Sequence, residues 1–573
     1  MKKRPLPVSG EQVPRRSWAT LALLAWIFFA PRLFAQDETT SEAPRLRSFS
    51  LSGWHPPQLA DPNSPGGFVP RPVDWDLVYE LETREDWLGL PLEDWQDLFD
   101  RMIEQSPVGI PELEFGRDYR NLLAFGTDSQ LEWTEKVLAR LREQFLRTVD
   151  VRVTVLQLAP GETPKNTPNV LTREEAEGLR ERLRVRFDQS ERVLSGHLHA
   201  AIHERYSAFV RDYEVEVARE QVIVDPRTDI MSDGLRLWLI AEETFDERVH
   251  LDIQLEIGDR DDPITLRPTG AESLGVLQTP ELRATWISFH APISPGETLA
   301  TWSIGPERHG PSFVVLLEAS RTEPAPTNDN AAGGPFVDRI PLRSLQRPTQ
   351  LGGQKIRADL RGWYQAEEYY EPSDPNQFAD DFGDVLEQIA DWTEGQVVEG
   401  NLVFLDREDA TRARRMLQST VESSLSRSSL RLTYAQPDCR MFLSLPIQSG
   451  GRVAMTHGVT SWTLPDYEVE IAENAAASNP STVVVFDGLL FDAQIFESTD
   501  PNADPRAAIH AERHRLDPLR TVDLRATHLG KLFVNDQWLH RFDHRGALED
   551  GVVSIESKLS SEDGPARLEV RVR

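Results

Sequence analysis

Histidines are the first residues in this chain whose spacing suggests chemistry. His197, His199 and His203 fall on one face if 197–203 is a strand, which suits a metal ion. His510 with His514, and His540 with His544, have the i, i+4 spacing of some helical zinc ligands. Two ligands do not make a site, and the run from His510 to His514 is HAERH rather than HExxH. Asp500–Arg506 opens like a calcium loop, but Pro505 stands where that loop needs glycine and Ala511 where it needs glutamate. A proline-rich acidic turn fits it better. No GxSxG elbow, no GxxxxGK and no GxGxxG after a strand is present. Cys439 is the single cysteine and has no identifiable partner for nucleophilic chemistry. The expectation is a non-enzymatic protein with no catalytic residue, no cofactor-binding residue and no metal ligand. Trp54, Trp87 and Trp363 are candidate surface anchors for a partner.

The elements that carry these residues are duplicated. A shift of 254 aligns residues 200–235 with 454–489 without a gap, with 14 identities in 36 positions, where chance gives about two. The centre of the match is DYEVEVA at Asp212–Ala218 against DYEVEIA at Asp466–Ala472. Tyr213, Val215 and Val217 alternate with Glu214 and Glu216, the period of a strand with one apolar face. Asp233-Gly234 and Asp487-Gly488 then read as turns leading into second strands. A second repeated element starts at Asn121 and again at Asn401: a short strand, a polar cap and an amphipathic helix. In the first copy Leu131, Leu138, Leu141 and Phe145 share a helix face. Leu92, Trp95, Leu98, Phe99 and Met102 stripe a helix upstream of it, and Phe382, Val385, Leu386 and Ile389 stripe its counterpart. Thr172 with Glu175 makes a capping box that opens a helix at 173–184.

Charge and composition narrow the setting. The 573 residues carry a formal net charge of −31, a surface that repels nucleic acid and anionic lipid. Residues 1–35 read as an export signal, with a basic start (Lys2, Lys3, Arg4, Arg15, Arg16) and an apolar run from Trp18 to Ala30. That run is short for a membrane span of roughly 20 residues, and Ala35 before Gln36 offers a cleavage point. Arg15-Arg16-Ser17-Trp18 leaves twin-arginine export open beside the Sec route. Residues 1–35 hold six basic residues and Glu11, so the remainder carries −36. With one cysteine the protein relies on packed cores rather than disulfides. A periplasmic or secreted location is the expectation, with no integral membrane span in the mature chain.

The segment NLLAFGTDSQLEWTEKVLARL followed by VRVTVLQL resembles the ring-forming N-domains of bacterial secretins. TREEAEGLRERL, RVLSGHLHAAIHERYSAFV and the DYEVEVA and DGLRLWL strands resemble the start of a secretin core domain. Thr285, Ile287, Phe289, Pro295, Gly296 and Thr298 echo the strand and turn that close that domain. The likeness spans roughly residues 75–320 and recurs more weakly over 359–545. The proline- and glycine-rich signature of secretins is absent. LGKLF at Leu529–Phe533 lacks the preceding proline, and no pair of long alternating strands stands out for a membrane barrel.

The fold expected is α+β: a signal peptide (1–35), a polar linker (36–72), a small α/β domain (73–160), a β-rich secretin-core-like domain (171–320), a linker (321–355), and second copies at 356–436 and 437–573. The resemblance implies an envelope component, accessory to a secretion or pilus-like assembly, with envelope proteins as partners and homo-oligomerisation through the 75–158 module. On the helix at 128–146 the polar side of Glu132, Glu135, Lys136, Arg140, Arg142 and Glu143 is locally neutral, which suits self-contact. A monomeric binding or adhesion module is the alternative, and a metal-dependent hydrolase using the histidines the least favoured.

Overall fold

A computed structural model of the chain describes residues 43–50, 92–115, 121–159, 167–196, 198–218, 221–244, 248–268, 276–306, 312–322, 335–341, 390–398, 401–421, 427–436, 439–448, 452–472, 475–496, 504–523, 531–556 and 566–572. The main strands of the first copy are β1 (Thr148–Gln157), β2 (Arg184–Leu194), β3 (Leu198–Ala218), β4 (Gln221–Glu243), β5 (Val249–Arg260), β6 (Glu281–Ile293), β7 (Thr298–Ile304) and β8 (Phe313–Arg321). Those of the second are β9 (Arg427–Gln436), β10 (Cys439–Gln448), β11 (Arg452–Ala472), β12 (Ala475–Phe496), β13 (Arg506–Leu516), β14 (Gln537–Ala547), β15 (Val552–Glu556) and β16 (Arg567–Val572).

Two antiparallel sheets share these strands. Sheet I runs β14-β13-β12-β11-β6-β5-β4-β3, and sheet II runs β15-β16-β9-β10-β7-β8-β1-β2. Each strand βn of the first copy therefore has its counterpart in β(n+8), at the same place in the same sheet. Short strands at Thr265–Pro268 and Val276–Thr279 sit between β5 and β6, and Arg520–Asp523 and Lys531–Val534 sit between β13 and β14 in the same way. One apolar core lies between the sheets and both copies feed it. Val151, Val153, Leu430 and Leu432 from sheet II meet Leu251, Ile253, Leu489 and Ile509 from sheet I. Alternating apolar positions on long antiparallel strands require such a second layer to cover them.

The expected α+β class, with small α/β domains, is therefore corrected. The described residues are mostly antiparallel β, 68% in strands and 16% in helices. The strands are longer than the sequence suggested, and β3–β4 and β11–β12 are hairpins of strands 21 to 23 residues long. The pair of long strands not seen in the sequence is thus present twice. Asp233-Gly234 and Asp487-Gly488 are not turns. Both lie inside strands, and the chain reverses where Ala218 pairs with Gln221 and Ala472 with Ala475. Gly234 holds φ +137° opposite Glu204, and a Cβ there would strike the His203 carbonyl, so contact between strands accounts for this glycine. Tyr213 and Tyr467 do occupy equivalent places, opposite Pro226 and Pro480.

Among the described residues helices are few and local. α1 (Leu92–Glu104) and α2 (Asp128–Phe145) accompany a three-stranded sheet of Arg45–Ser50, Asn121–Gly126 and Glu112–Phe115. Thr127 and Gln130 cap α2 reciprocally, satisfying backbone donors at its start. α3 (Arg173–Arg182) opens on the Thr172–Glu175 capping box. α4 (Arg407–Val421) accompanies a second three-stranded sheet of Asp338–Pro341, Asn401–Phe404 and Gln396–Val398. The two small sheets meet: Val337 and Val403 join the core of Leu98, Leu138 and Phe145, and Arg339 lies 5.6 Å from the Phe145 ring centroid. No helix among the described residues is long and apolar enough to cross a membrane. Residues 1–35, the helix at Phe382–Ile389, and Trp54, Trp87 and Trp363 lie outside the described residues.

Candidate functional site

The two copies are joined by strand pairing in both sheets. In sheet I, Glu281–Ser288 of β6 pairs with Ala454–Ser461 of β11. In sheet II, Trp302–Ile304 of β7 pairs with Phe442–Ser444 of β10. The face of the sheet I seam that looks toward sheet II seats a buried imidazole. Thr285 is directly opposite His457, and its hydroxyl lies 2.6 Å from His457 Nδ1. The ring is closed in by Gly305, where a Cβ would overlap it. An ion pair adds to the junction: Arg427 of β9 donates to Glu297, in the turn between β6 and β7, at 2.8 Å and to the Pro292 carbonyl at 3.0 Å. Arg427 holds the Glu297 carboxyl below its usual range, with burial opposing.

Strands equivalent to those at the seam also bound the sheets, and there no described strand pairs with them. β2 and β3 form one side of the sandwich; β14 and β15 form the other. Along β3 the side chains of Ile202, His203, Arg205 and Tyr206 are exposed; along β14 so are Trp538 and Leu539. Ile202 is 40% exposed and Trp538 48%, unusual for strand residues flanking a core. An exposed, partly apolar strand edge is a template for further strand addition.

The histidines from the sequence are distributed over this frame. His199 and His203 lie on β3 as a strand, with His199 contacting Glu191 and His203 3.3 Å from Gln189. Phe187 packs edge-on against the His203 ring. His197 lies outside the described residues. His540 and His544 share a face of β14, and His510 and His514 a face of β13, so neither pair is helical. Glu512 sits between His510 and His514, 3.1 and 3.3 Å from their Nε2 atoms. Burial alone would raise the Glu512 carboxyl, but the two imidazoles hold it well below the carboxylate range. Cys439 is buried at the start of β10. Of the segment at 500–506, Asp504 accepts a bond from the Asp550 amide and Pro505 one from Leu548, while residues 500–503 lie outside the described residues.

A row of buried polar side chains gave no functional signal in the sequence. His250, Asp252, Gln254 and Glu256 alternate with apolar core residues along β5, and all four are buried. Arg236 pairs with Glu204 and Glu256 beside them. His290 stacks near His250 at 5.4 Å, and burial pushes its pKa down to about 4. The strict alternation would have placed this row on one face, but nothing in it announced that the face is covered. On sheet II, Asp150, Arg152, Arg173, Arg192 and Glu318 line an open cavity of about 680 Å³. Its charges are largely matched within the chain, as in Arg192–Asp150 at 2.8 Å and Arg152–Asp188 at 2.8 Å.

No protein-family model and no curated protein matches the chain. Solved structures similar to it include secretins. The InvG secretin domain of the Salmonella SPI-1 injectisome is 14% identical, with 41% of this chain and 81% of that chain covered and a TM-score of 0.19. The secretin GspD in the ETEC AspS–GspD complex is 10% identical over 64% of this chain and 78% of that chain, with a TM-score of 0.19. InvG in its open gate state is 12% identical over 50% and 90%, with a TM-score of 0.18. At TM-scores this low the likenesses carry no weight for function.

Proposed function

We propose that the chain is an exported, non-enzymatic structural component of the cell envelope: a wall segment of two fused units that extends by strand addition at its open sheet edges. The observation that carries this reading is the seam. Each copy already joins the other by edge pairing in both sheets, and the edges equivalent to that seam face outward at β2, β3, β14 and β15. A head-to-tail contact of this kind is heterologous, so repetition gives a ring where the rotation closes and a filament where it does not. The resemblance of residues 75–320 to secretins supports a secretion or pilus-like apparatus as the setting. The apolar run after a basic start supports export.

Sedimentation velocity of the mature chain over a range of concentrations tests this. We expect species larger than the monomer, which shrink toward the monomer when a charge is set on the open edge by Ile202→Lys. A wild-type chain that stays monomeric to high micromolar concentration overturns the wall segment and favours a monomeric binding module.

A further inference from the structure

The internal seam gives the register in which one chain would meet the next. Ala284 is opposite Gly258, and Gly258 opposite Gly234. In the second copy Leu539 is opposite His514, and His514 opposite Gly488. Gly234 and Gly488 are equivalent through the repeat, so Ala284 corresponds to Leu539 and Thr285 to His540. On the partner strand, the shift of 254 makes His457 correspond to His203. The seam pairs Thr285 with His457. We propose that a second copy of this chain docks β3 against β14 in that same register, which sets His203 of one chain opposite His540 of the next, and that this facing pair makes the contact labile to acid. The proposal rests on the wall-segment reading and adds its register and its control.

Neighbouring positions fit this register. Ala201 falls opposite Phe542, a buried core ring, as Met455 falls opposite Ile287 inside the chain. Arg205 falls opposite Trp538, a cation beside an indole. From Ala200 opposite Asp543 to Ser207 opposite Asp536, the two histidines are the one pair able to carry like charges. A slip by one residue would set the core-facing residues of β3 beside the outward-facing residues of β14, whose orientation is fixed by its pairing with β13, and so put the next chain's sheet II on the wrong side. One step past the paired stretch, His199 meets His544 and repeats the theme. On sheet II the same operation places Glu556 opposite Ser190.

Residues directly opposite on antiparallel strands have Cβ atoms about 4.5–5.5 Å apart. Inside the chain that space holds one imidazole and one hydroxyl; between chains it would hold two imidazoles. Two neutral rings can share a hydrogen bond, whereas two imidazolium ions repel in a site that excludes water. The other groups facing His203 are Gln189 and Phe187 from β2, Leu235 from β4, and the Arg205–Asp233 pair. Those facing His540 are Arg515 and Arg513, and burial together with these two cations lowers its pKa. Glu191 contacts His199. In the contact each ring gains the other as a neighbour and loses water, which disfavours charge on both. Protonation therefore opposes the contact, and association weakens as pH falls.

The test is sedimentation of the full mature chain at pH 7.5 and 5.5 at fixed ionic strength. We expect association at least tenfold weaker at pH 5.5. His540→Thr rebuilds the Thr–His pair of the internal seam, and should keep association at pH 7.5 while flattening its pH dependence. Register is read independently by oxidation of Tyr206→Cys/Gln537→Cys, which should yield interchain disulfides, whereas Tyr206→Cys/Leu539→Cys should not. Association without pH dependence, a His540→Thr chain that responds to pH like wild type, or crosslinks in the shifted register would overturn the inference and leave the wall segment standing. A chain monomeric at every pH would overturn both.

Discussion

The same face of sheet II is built twice and finished in opposite ways. In the first copy Leu156, Ala300, Trp302, Val314 and Leu316 line it, and α3 covers them with Ala176, Leu179 and Leu183. The equivalent positions of the second copy, located by the pairing registers, are Ala435, Ser554, Glu556, Arg567 and Glu569. There β9 turns directly into β10, with Gln436 paired to Cys439, and leaves no chain to form a cover. Arg567 instead donates to Ser554 at 2.8 Å and to Glu569 at 3.2 Å. An inserted segment and an apolar face therefore go together. Without the insertion the face is charged, because a bare apolar patch of that size would invite association.

The largest effect should come from breaking this contrast at its centre. Trp302 is 2% exposed, packs under α3, and donates from Nε1 to the Pro168 carbonyl at 2.9 Å. Trp302→Ala removes a large buried ring and should cost about 3–5 kcal/mol in urea unfolding. Its counterpart Glu556 is exposed, and Glu556→Ala should stay within about 0.5 kcal/mol. Equal effects would mean that α3 does not stabilise the face it covers.

A second contrast sets the internal seam against the open edge. Thr285→Val removes the hydroxyl that meets buried His457 and should cost about 1–3 kcal/mol in the monomer. His203→Ala alters the equivalent imidazole where it is exposed and should cost under about 0.5 kcal/mol in thermal or urea unfolding of the monomer. A seam variant as mild as the edge variant would show that the Thr285–His457 contact adds little to the joint, which would then rest on the backbone pairing of β6 with β11.

The repeat and many of the strands were legible in the sequence because alternation and identity both marked them. DYEVEVA and DYEVEIA are strands in register, the Thr172–Glu175 box opens a helix where its spacing indicated, and the polar cap expected before the other helix is Thr127. Fold class was not legible. Asp233-Gly234 carries a strong local turn preference, but pairing continues on both sides of it, and tertiary contact outweighs a dipeptide signal. His510 and His514 show helical spacing by coincidence, since i, i+4 also returns to the same face of a strand. The row from His250 to Glu256 carried no sequence signal of its own, because alternation alone does not say whether the polar face of a strand is covered. How a β-rich copy joins its neighbour was also hidden, because edge pairing depends on backbone groups that every residue shares. What the sequence did contain was the histidines on β3 and β14; their common role needs the register of the seam.

The smallest expected effect concerns the ion pair that links the copies. Glu297 has no counterpart in the second copy, where Gly551 takes its place before β15, so its titration reports on this contact alone. Arg427 donates to both carboxylate oxygens, at 2.8 and 3.3 Å, and the Ser294 amide adds a bond at 3.1 Å. The carboxylate is 31% exposed, which keeps the gain modest through solvent screening. Glu297→Gln should lower stability at pH 7 by about 1 kcal/mol. Because the folded chain holds this carboxyl below its ordinary value of 4.5, the contribution is present above that value and fades as pH falls below it. Wild type and variant should therefore converge in unfolding free energy between pH 5.5 and 3. A gap that stays constant across that window would assign the loss to packing rather than to charge, and the pair would cease to count as an electrostatic link between the copies.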